Sequence, residues 1–446
     1  MLPVLIGIDG PDLNAGEEAA IRRFQPAGFV LFSRNVESVE QVRRLAARLR
    51  ELSVHHPVIA VDQEGGRVVR TAALGLNLPS PSSLVRNGDF SGVVELASVT
   101  ALALRCLGVN MNFAPVLDIC HDPGAANALP GRCWGNNAQD VISYAGVYSS
   151  NLRRGGIQSC GKHFPGMGRA QADPHFSLPV VDLDERELFE TDMLPFLSLC
   201  PELPGIMSAH IMLPRIDAEL PATLSRRVIG GMLRERLGFR GVVFTDDLCM
   251  GAIAGQYAPD EAAFLSLKAG CDLPLVCHDP LPWLEPLAAR LDKLDPYERE
   301  DSFKRVEALS DSLCFPLSEA SLWIKCLHRA ERLCLSAGEG GGAASSFLPG
   351  AAVLERTASG GGVPCFFVGT IKRGYPPAGC LPRFMEGSGF RTGKFPEERK
   401  PGEWKAPGLR PSFPVPEEGK VLAFFLFVMI MTVHHFFNLH NTHLLT

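Results

Sequence analysis

The first 290 residues alternate between short apolar runs and longer segments that have one apolar stripe. Each run ends at a polar residue or a glycine, and the segment after it has the 3.6-residue period of an amphipathic helix. This alternation is typical of a parallel α/β fold, in which helices connect buried strands. Eight strands are predicted, at residues 4–9, 28–32, 58–62, 109–116, 159–164, 205–210, 241–246 and 271–276.

Amphipathic helices are predicted between these strands. Ser38 and Gln41 have the spacing of a capping box, and the residues from Val42 to Leu49 form an apolar stripe behind them. Further helices are predicted at residues 95–107, 140–153, 186–199, 226–237 and 261–268, and from about residue 283 onward.

Eight strands fit either a closed barrel or an open doubly wound sheet. Five polar residues favour the barrel because they lie at or just after strand ends: Asp62, Lys162, His163, His210 and Asp246. Barrel enzymes assemble their sites at the C-terminal ends of the strands. We therefore predict an α/β fold of the (β/α)8 TIM type, with a catalytic barrel over residues 1–335.

Residues 336–446 differ in composition from the barrel. They are rich in glycine and proline, which predicts a low-complexity or poorly ordered tail. An apolar segment at 421–433 is shorter than the roughly 20 residues that a membrane-spanning helix needs. A membrane anchor is therefore disfavoured, although an anchoring tail stays open as an alternative.

Composition restricts the partners and the compartment. A net charge of -6 leaves no basic surface for nucleic acid, so a neutral or weakly charged ligand is expected. The 13 cysteines include no CxxC pair, which indicates reduced thiols in a cytoplasmic protein. The N-terminus has the pattern of a buried strand and not of a signal peptide. The oligomeric state is left open.

The densest polar cluster spans residues 161–175, in a loop rich in glycine and proline that follows a strand. Lys162 and His163 can donate hydrogen bonds to sugar hydroxyls. Asp173 and His175 are expected side by side on an extended segment, where the carboxylate orients the imidazole. A solitary histidine is more often structural, but this spacing and setting favour an acid/base.

Two carboxylates, Asp246 and Asp247, follow another strand directly. A buried strand that ends in charge needs a function or a partner, and Asp246 is the better nucleophile candidate. The alternative is that both aspartates cap the following helix, a role that Asp247 is expected to fill in either case.

A second acidic and basic group follows the third predicted strand. Carboxylate oxygens and guanidinium groups suit sugar hydroxyls, which favours substrate binding for Asp62 and Arg70. For Glu64 and Arg67, an ion-pair network at the barrel rim is an equally good interpretation. Arg132, in a loop close to an aromatic residue, is a further candidate for sugar binding.

Other kinds of site have little support. The chain has no HExxH motif for a metal and no GxSxG motif for serine chemistry. The glycines at 166 and 168 are not followed by a third at 171, so a dinucleotide site is discarded. No cofactor and no metal are therefore expected.

Six segments resemble the bacterial β-N-acetylglucosaminidase branch of glycoside hydrolase family three. They occur in the order found in that family, within residues 1–300: 61–67 (VDQEGGR), 112–118 (NFAPVLD), 131–132 (GR), 162–166 (KHFPG), 173–175 (DPH) and 244–248 (FTDDL). Two positions depart from the family pattern, since Met167 stands where histidine is usual and Pro174 where serine is usual.

The resemblance implies a two-step retaining hydrolysis of terminal β-linked N-acetylglucosamine. It assigns Asp246 as nucleophile and His175, paired with Asp173, as acid/base. It also assigns five residues to substrate binding: Asp62, Arg70, Arg132, Lys162 and His163. Family members of this branch act in the cytoplasm on muropeptides during cell-wall recycling. The alternatives are a family three β-glucosidase, a phosphorylase that uses phosphate in place of water, and an inactive sugar-binding barrel.

Overall fold

The computed structural model of the protein describes residues 1–317, 319 and 321–339. Almost all of the predicted tail at 336–446, including the apolar segment at 421–433, lies outside these residues. The strands are β1 (Leu2–Gly7), β2 (Pro26–Leu31), β3 (Val58–Val61), β4 (Gln63–Gly65), β5 (Val68–Val69), β6 (Met111–Asn112), β7 (Gln158–Phe164), β8 (Gly205–Ser208), β9 (Val242–Asp247) and β10 (Leu273–Val276).

Helices connect the strands. They are α1 (Ala15–Phe24), α2 (Val39–Leu52), α3 (Pro81–Arg86), α4 (Phe90–Leu107), α5 (Ala138–Arg154), α6 (Glu185–Glu190), α7 (Leu194–Leu199), α8 (Gly251–Ala254), α9 (Pro259–Ala269), α10 (Leu281–Ala288), α11 (Pro296–Ser312) and α12 (Leu322–Ser336). A π-helical segment, Arg227–Arg236, lies between β8 and β9. Short 3-10 turns occur at Ser33–Asn35, Ala72–Leu74, Cys200–Glu202, Ala222–Leu224 and Leu291–Lys293.

Eight strands form a closed parallel barrel in the order β1-β10-β9-β8-β7-β6-β3-β2, while β4 and β5 form a separate antiparallel hairpin. Every one of the eight predicted strands is present, so the predicted (β/α)8 fold is confirmed. The closed order rules out the doubly wound alternative. All eight strands therefore direct their C-terminal ends to one face of the barrel.

Alternation of side chains along the strands builds two layers of core. Leu5 and Val30 face the barrel interior, whereas their neighbours Ile6 and Phe29 pack beneath the surrounding helices. Leu309 of α11 belongs to the interior cluster. Because the α11 residues Arg305 and Ser310 contact segments that precede strands, α11 covers the N-terminal mouth of the barrel.

Two local predictions were wrong in detail. The helix predicted at 186–199 is two helices, α6 and α7, with Pro195 in the first turn of the second. The helix predicted at 226–237 is confirmed, and it is the π-helical segment Arg227–Arg236. Ser38 caps α2, but the side chain of Gln41 accepts from Glu37 N and not from Ser38 N, so the capping box is only half formed.

Helix α4 is the one described helix that is long and apolar enough to cross a membrane by length and composition. Its apolar positions are nevertheless used inside the fold, since 61% of the window is buried. Ala97 and Leu104 belong to the core cluster, and α4 packs against α5 and α12. Helix α4 is thus a core helix of the barrel wall.

Candidate active site

A cleft of about 490 Å³ opens at the C-terminal ends of the barrel strands. All eight residues that were predicted for the site line this cleft: Asp62, Arg70, Arg132, Lys162, His163, Asp173, His175 and Asp246. Glu64, Arg67, Val68, Ala128, Met167, Pro174, Phe176 and Met250 complete the wall. Residues from five separate regions of the chain thus meet at one place.

Lys162 lies at the base of the cleft, between two carboxylates. Its Nζ is 2.7 Å from Oδ1 of Asp62 and 2.6 Å from Oε1 of Glu64, and its side chain is 2% exposed. Burial lowers the pKa of Lys162, but the two carboxylates outweigh this effect and leave the pKa above its ordinary value. Lys162 is therefore a fixed cation that can donate to a bound hydroxyl.

Glu64 also pairs with Arg132. The Nε and Nη2 atoms of Arg132 each donate to a Glu64 oxygen at 2.8 Å, and Nη1 donates to the Ala128 carbonyl at 3.1 Å. Burial raises the pKa of Glu64, but Arg132 and Lys162 together hold it well below its usual range. Of the two interpretations that the sequence left open for Glu64, the structure therefore supports the ion-pair network.

Asp62 connects this network to Arg70. Arg70 Nη2 lies 3.4 Å from Oδ2 of Asp62, and its guanidinium stands 5.7 Å from the ring centroid of Phe32. Burial raises the pKa of Asp62, but the positive charges of Lys162 and Arg70 outweigh this effect and leave the pKa below its ordinary value. The carboxylate therefore remains charged. Arg67 is exposed on the cleft wall, and its guanidinium donates to the Ala128 carbonyl.

Asp118 is a buried residue of the site that was not singled out from the sequence. Its carboxylate accepts from the backbone N–H of His163 at 3.1 Å and of Met167 at 2.7 Å. It also lies 2.7 Å from His163 Nδ1. His163 Nε2 is thereby directed toward Asp246 Oδ2, at 4.0 Å. The place of Asp118 at the end of the 112–118 motif is the sequence signal that could have identified it.

Asp246 is the penultimate residue of β9, and 21% of its side chain is exposed. Asp247 faces away from this site, where its Oδ1 accepts from Cys249 N at 3.0 Å and Cys277 N at 3.2 Å. The N-cap of α8 is Met250, without a side-chain cap. The predicted capping role of Asp247 was therefore wrong, because its carboxylate connects the end of β9 to the end of β10.

His210 lies behind Asp246, buried at the end of β8. Its Nε2 is 3.0 Å from the Asp247 carbonyl oxygen, which can only accept, so this nitrogen is the donor. Burial lowers the pKa of His210 and keeps the ring neutral. Within the described part of the chain, Nδ1 has no hydrogen-bond partner.

Asp173 and His175 are in contact, as their spacing predicts. His175 Nδ1 lies 2.7 Å from Asp173 Oδ1, which also accepts from the His175 N–H at 2.9 Å. The predicted extended geometry was wrong, because Phe176 N donates to the Asp173 carbonyl at 3.1 Å and closes a turn. Aspartate followed by proline favours such a turn. The imidazole projects outward, and its side chain is 60% exposed.

The two departures from the family pattern leave the polar contacts of the site in place. Met167 is buried in the cleft wall, and Asp118 holds it through its backbone N–H, which any residue supplies. Pro174 occupies the second position of the Asp173 turn, where its fixed φ is suited. Neither side chain replaces a group that was predicted to act chemically.

The eleven cysteines of the described residues are free thiols. Among the residues that the structure describes, no three His, Cys, Asp or Glu side chains are grouped closely enough to hold a metal ion. The cleft presents one strand-end carboxylate, one exposed imidazole–carboxylate pair and several fixed hydrogen-bond donors.

Comparison with known proteins gives consistent matches. The model of the glycosyl hydrolase family 3 N terminal domain matches residues 5–309. A beta-hexosaminidase of Psychromonas ingrahamii is 33% identical over 335 residues, which are 73% of this chain and 96% of that protein.

Solved structures agree with the sequence matches. A glycoside hydrolase family 3 beta-N-acetylglucosaminidase from Paenibacillus sp. aligns with a TM-score of 0.68 and 31% identity, covering 75% of this chain and 67% of that one. NagZ from Neisseria gonorrhoeae, in complex with N-trifluoroacetyl-D-glucosamine, aligns with a TM-score of 0.63 and 29% identity. That alignment covers 76% of this chain and 98% of the NagZ chain.

Proposed function

The chain belongs to glycosyl hydrolase family 3, and from this premise we propose that it is a retaining exo-β-N-acetylglucosaminidase. The general activity, that of a β-hexosaminidase, follows from the family and its curated relatives. The observation that supports the finer mechanism is the presence of Asp246 and the Asp173–His175 pair on the wall of one cleft.

In the first step, an Asp246 oxygen forms a bond to the anomeric carbon while the bond from that carbon to the leaving oxygen breaks. His175 transfers its Nε2 proton to that oxygen, and Asp173 stabilises the ring through Nδ1. In the second step, His175 takes a proton from water, whose oxygen attacks the anomeric carbon and releases Asp246. The two inversions leave the sugar with its original β configuration.

The fixed groups of the cleft suit the sugar that is held during these steps. Lys162 and His163 offer donors, while Asp62 offers carboxylate oxygens that accept from hydroxyls. Arg70 and Arg132 complete the proposed sugar-binding set. The NagZ complex with an N-acetylglucosamine analogue supports N-acetylglucosamine as the sugar in this subsite.

The biological substrate is a further part of the proposal. The resemblance of the sequence motifs implies action on muropeptides, so we expect this enzyme to release N-acetylglucosamine from them during peptidoglycan recycling. The eleven free thiols of the described residues suit a reducing compartment, which supports a cytoplasmic location.

An assay of nitrophenyl N-acetyl-β-glucosaminide beside nitrophenyl β-glucoside tests the sugar. Preferred release from the N-acetylglucosaminide supports the proposal, whereas preference for the glucoside indicates a β-glucosidase. Product analysis in phosphate buffer tests the acceptor, because a sugar 1-phosphate as main product identifies a phosphorylase. Binding of N-acetylglucosamine with no turnover of either substrate indicates an inactive sugar-binding barrel.

Covalent labelling tests the nucleophile. A 5-fluoro glycosyl fluoride of N-acetylglucosamine should add one sugar mass to the wild-type protein and none to Asp246→Ala. The matched control is Asp292→Ala, at a carboxylate that is 96% exposed and outside the cleft. Labelling that survives in Asp246→Ala rejects the assignment of the nucleophile.

A further inference from the structure

The turn that bears His175 is hydrogen-bonded to the segment that follows the nucleophile strand. The Gly251 N–H donates to the His175 carbonyl at 3.2 Å, and the Ala252 N–H donates to the Pro174 carbonyl at 3.1 Å. Both donors lie at the start of α8, where helical N–H groups have no partner inside the helix. The backbone carbonyl groups of the proposed acid/base turn thus accept hydrogen bonds from both of these N–H groups.

The contact is close enough that only glycine fits at position 251. A Cβ atom added there would lie 2.8 Å from the His175 carbonyl oxygen and 3.0 Å from the Phe176 carbonyl oxygen. The neighbouring atoms are backbone, so no flexible side chain can move aside. Any larger residue must therefore push the 174–176 backbone away from α8.

The segment between Asp246 and Gly251 is itself held in place. Met250 N donates to the Asp247 carbonyl at 3.0 Å, and Leu248 N donates to the Leu275 carbonyl of β10 at 3.0 Å. The Asp247 carboxylate adds bonds to Cys249 N and Cys277 N. Hydrogen bonds therefore connect the surface that receives the His175 turn to the strand end that presents Asp246.

We propose that Gly251 is a positioning residue for proton transfer, which sets the placement of His175 relative to Asp246 through the backbone contact at α8. This inference rests on the proposed retaining mechanism, in which the two groups act on opposite sides of one glycosidic bond. Gly251 makes no bond to substrate. Displacement of the turn moves His175 out of hydrogen-bond reach of the leaving oxygen and leaves Asp246 in place.

The test compares Gly251→Ala with wild-type protein on two N-acetylglucosaminides. The dinitrophenolate of a dinitrophenyl glycoside departs without a proton, whereas cleavage of N,N′-diacetylchitobiose needs the general acid. We expect kcat/KM of Gly251→Ala to fall at least about 30-fold on the disaccharide and less than about 3-fold on the dinitrophenyl glycoside. Gly231→Ala is the matched control, because the nearest atom to an added Cβ there is 4.0 Å away.

An equal loss on both substrates, or no loss on either, overturns the proposal. Hydrogen exchange on the wild-type protein gives a second test that does not depend on the folding of a variant. The amides of Gly251 and Ala252 should exchange at least about tenfold more slowly than in an unstructured peptide, and unprotected exchange overturns the proposal. Failure of the wild-type protein to cleave either glycoside instead refutes the proposed function.

Discussion

The ammonium of Lys162 lies 2.6 Å from Oε1 of Glu64, and each side chain is only 2% exposed. Glu64 also binds Arg132 through both of its oxygens, so one buried carboxylate serves two cations of the cleft. Both cations belong to the predicted substrate-binding set, whereas Glu64 has almost no surface for a ligand. The role of Glu64 is thus to hold its two partners in place.

The first prediction concerns the charge of Glu64. Glu64→Gln keeps the shape but leaves two buried cations short of a carboxylate, so we expect a loss of about 3 kcal/mol in the free energy of unfolding. Glu95→Gln removes a comparable pair with Arg329 at the surface, where about 1 kcal/mol or less is expected. Urea unfolding at pH 7 measures both, and equal losses would contradict the buried network.

The same variant has a defined dependence on pH. Because the folded-state pKa of Glu64 is depressed, its stabilisation is present above the unfolded pKa of about 4.3 and is lost as pH falls below it. The difference in stability between wild-type protein and Glu64→Gln should therefore be constant from pH 7 to 5 and shrink below about pH 4. Unfolding curves at pH 7, 5 and 3.5 give the comparison.

The second prediction concerns the orientation of His163. Asp118→Asn replaces one acceptor oxygen with an NH2 group, so it cannot accept from all three N–H donors that the carboxylate serves. With His163 less constrained, we expect kcat/KM on nitrophenyl N-acetyl-β-glucosaminide to fall about tenfold or more. Asp122→Asn, at an exposed carboxylate four residues farther along, is the control and should keep full activity.

The third prediction concerns the reactivity of Cys120, which is half-buried. A hydrogen bond from Cys133 lowers the pKa of Cys120 to about 7, whereas burial raises the pKa of Cys249 to about 11. Iodoacetamide should therefore alkylate Cys120 with half-maximal rate near pH 7 and leave Cys249 largely unmodified. Peptide mass spectrometry over pH 5.5–9 is the measurement.

A Cys133 variant tests whether this hydrogen bond causes the low pKa of Cys120. Cys133→Ala removes the hydrogen bond, so the midpoint for Cys120 should rise toward the ordinary thiol value of about 8.5. An unchanged midpoint would show that Cys133 does not activate Cys120.

Much of the fold could be predicted from the sequence because buried parallel strands are recognisable as continuous apolar runs. Strand β6 is the exception, since the run at 109–116 contains Pro115, which has no N–H to donate. Only Met111–Asn112 pair regularly, and the ladder continues through isolated bonds such as Leu117 N to the Lys162 carbonyl. The hydrophobic pattern of the sequence does not predict this irregular end of β6.

The candidate site likewise contains features that the sequence could predict and features that it could not. Residues at strand ends, such as Lys162 and Asp246, were predictable because the position of a polar residue after a buried run is visible in the sequence. Contacts between distant segments were not, because no spacing relates Glu64 to Arg132 or His175 to Gly251. The backbone contact at Gly251 has no side-chain signal at all.

The last prediction concerns His175 itself. Its imidazole is exposed and hydrogen-bonded to Asp173, which suits a group that transfers protons at the mouth of the cleft. In His175→Ala, we expect kcat/KM to fall about 10²- to 10⁴-fold on a glycoside with a poor leaving group and less than about tenfold on a dinitrophenyl glycoside. The reason is that a stable phenolate needs no proton to depart.

Steady-state kinetics on a series of aryl glycosides gives the full comparison. Plotted against the pKa of the leaving phenol, log kcat/KM should have a steeper negative slope for His175→Ala than for the wild-type protein, because charge on the leaving oxygen is no longer neutralised. His328→Ala, at an exposed histidine of α12 outside the cleft, should keep the wild-type slope. Equal slopes in all three proteins would assign the general acid to another residue.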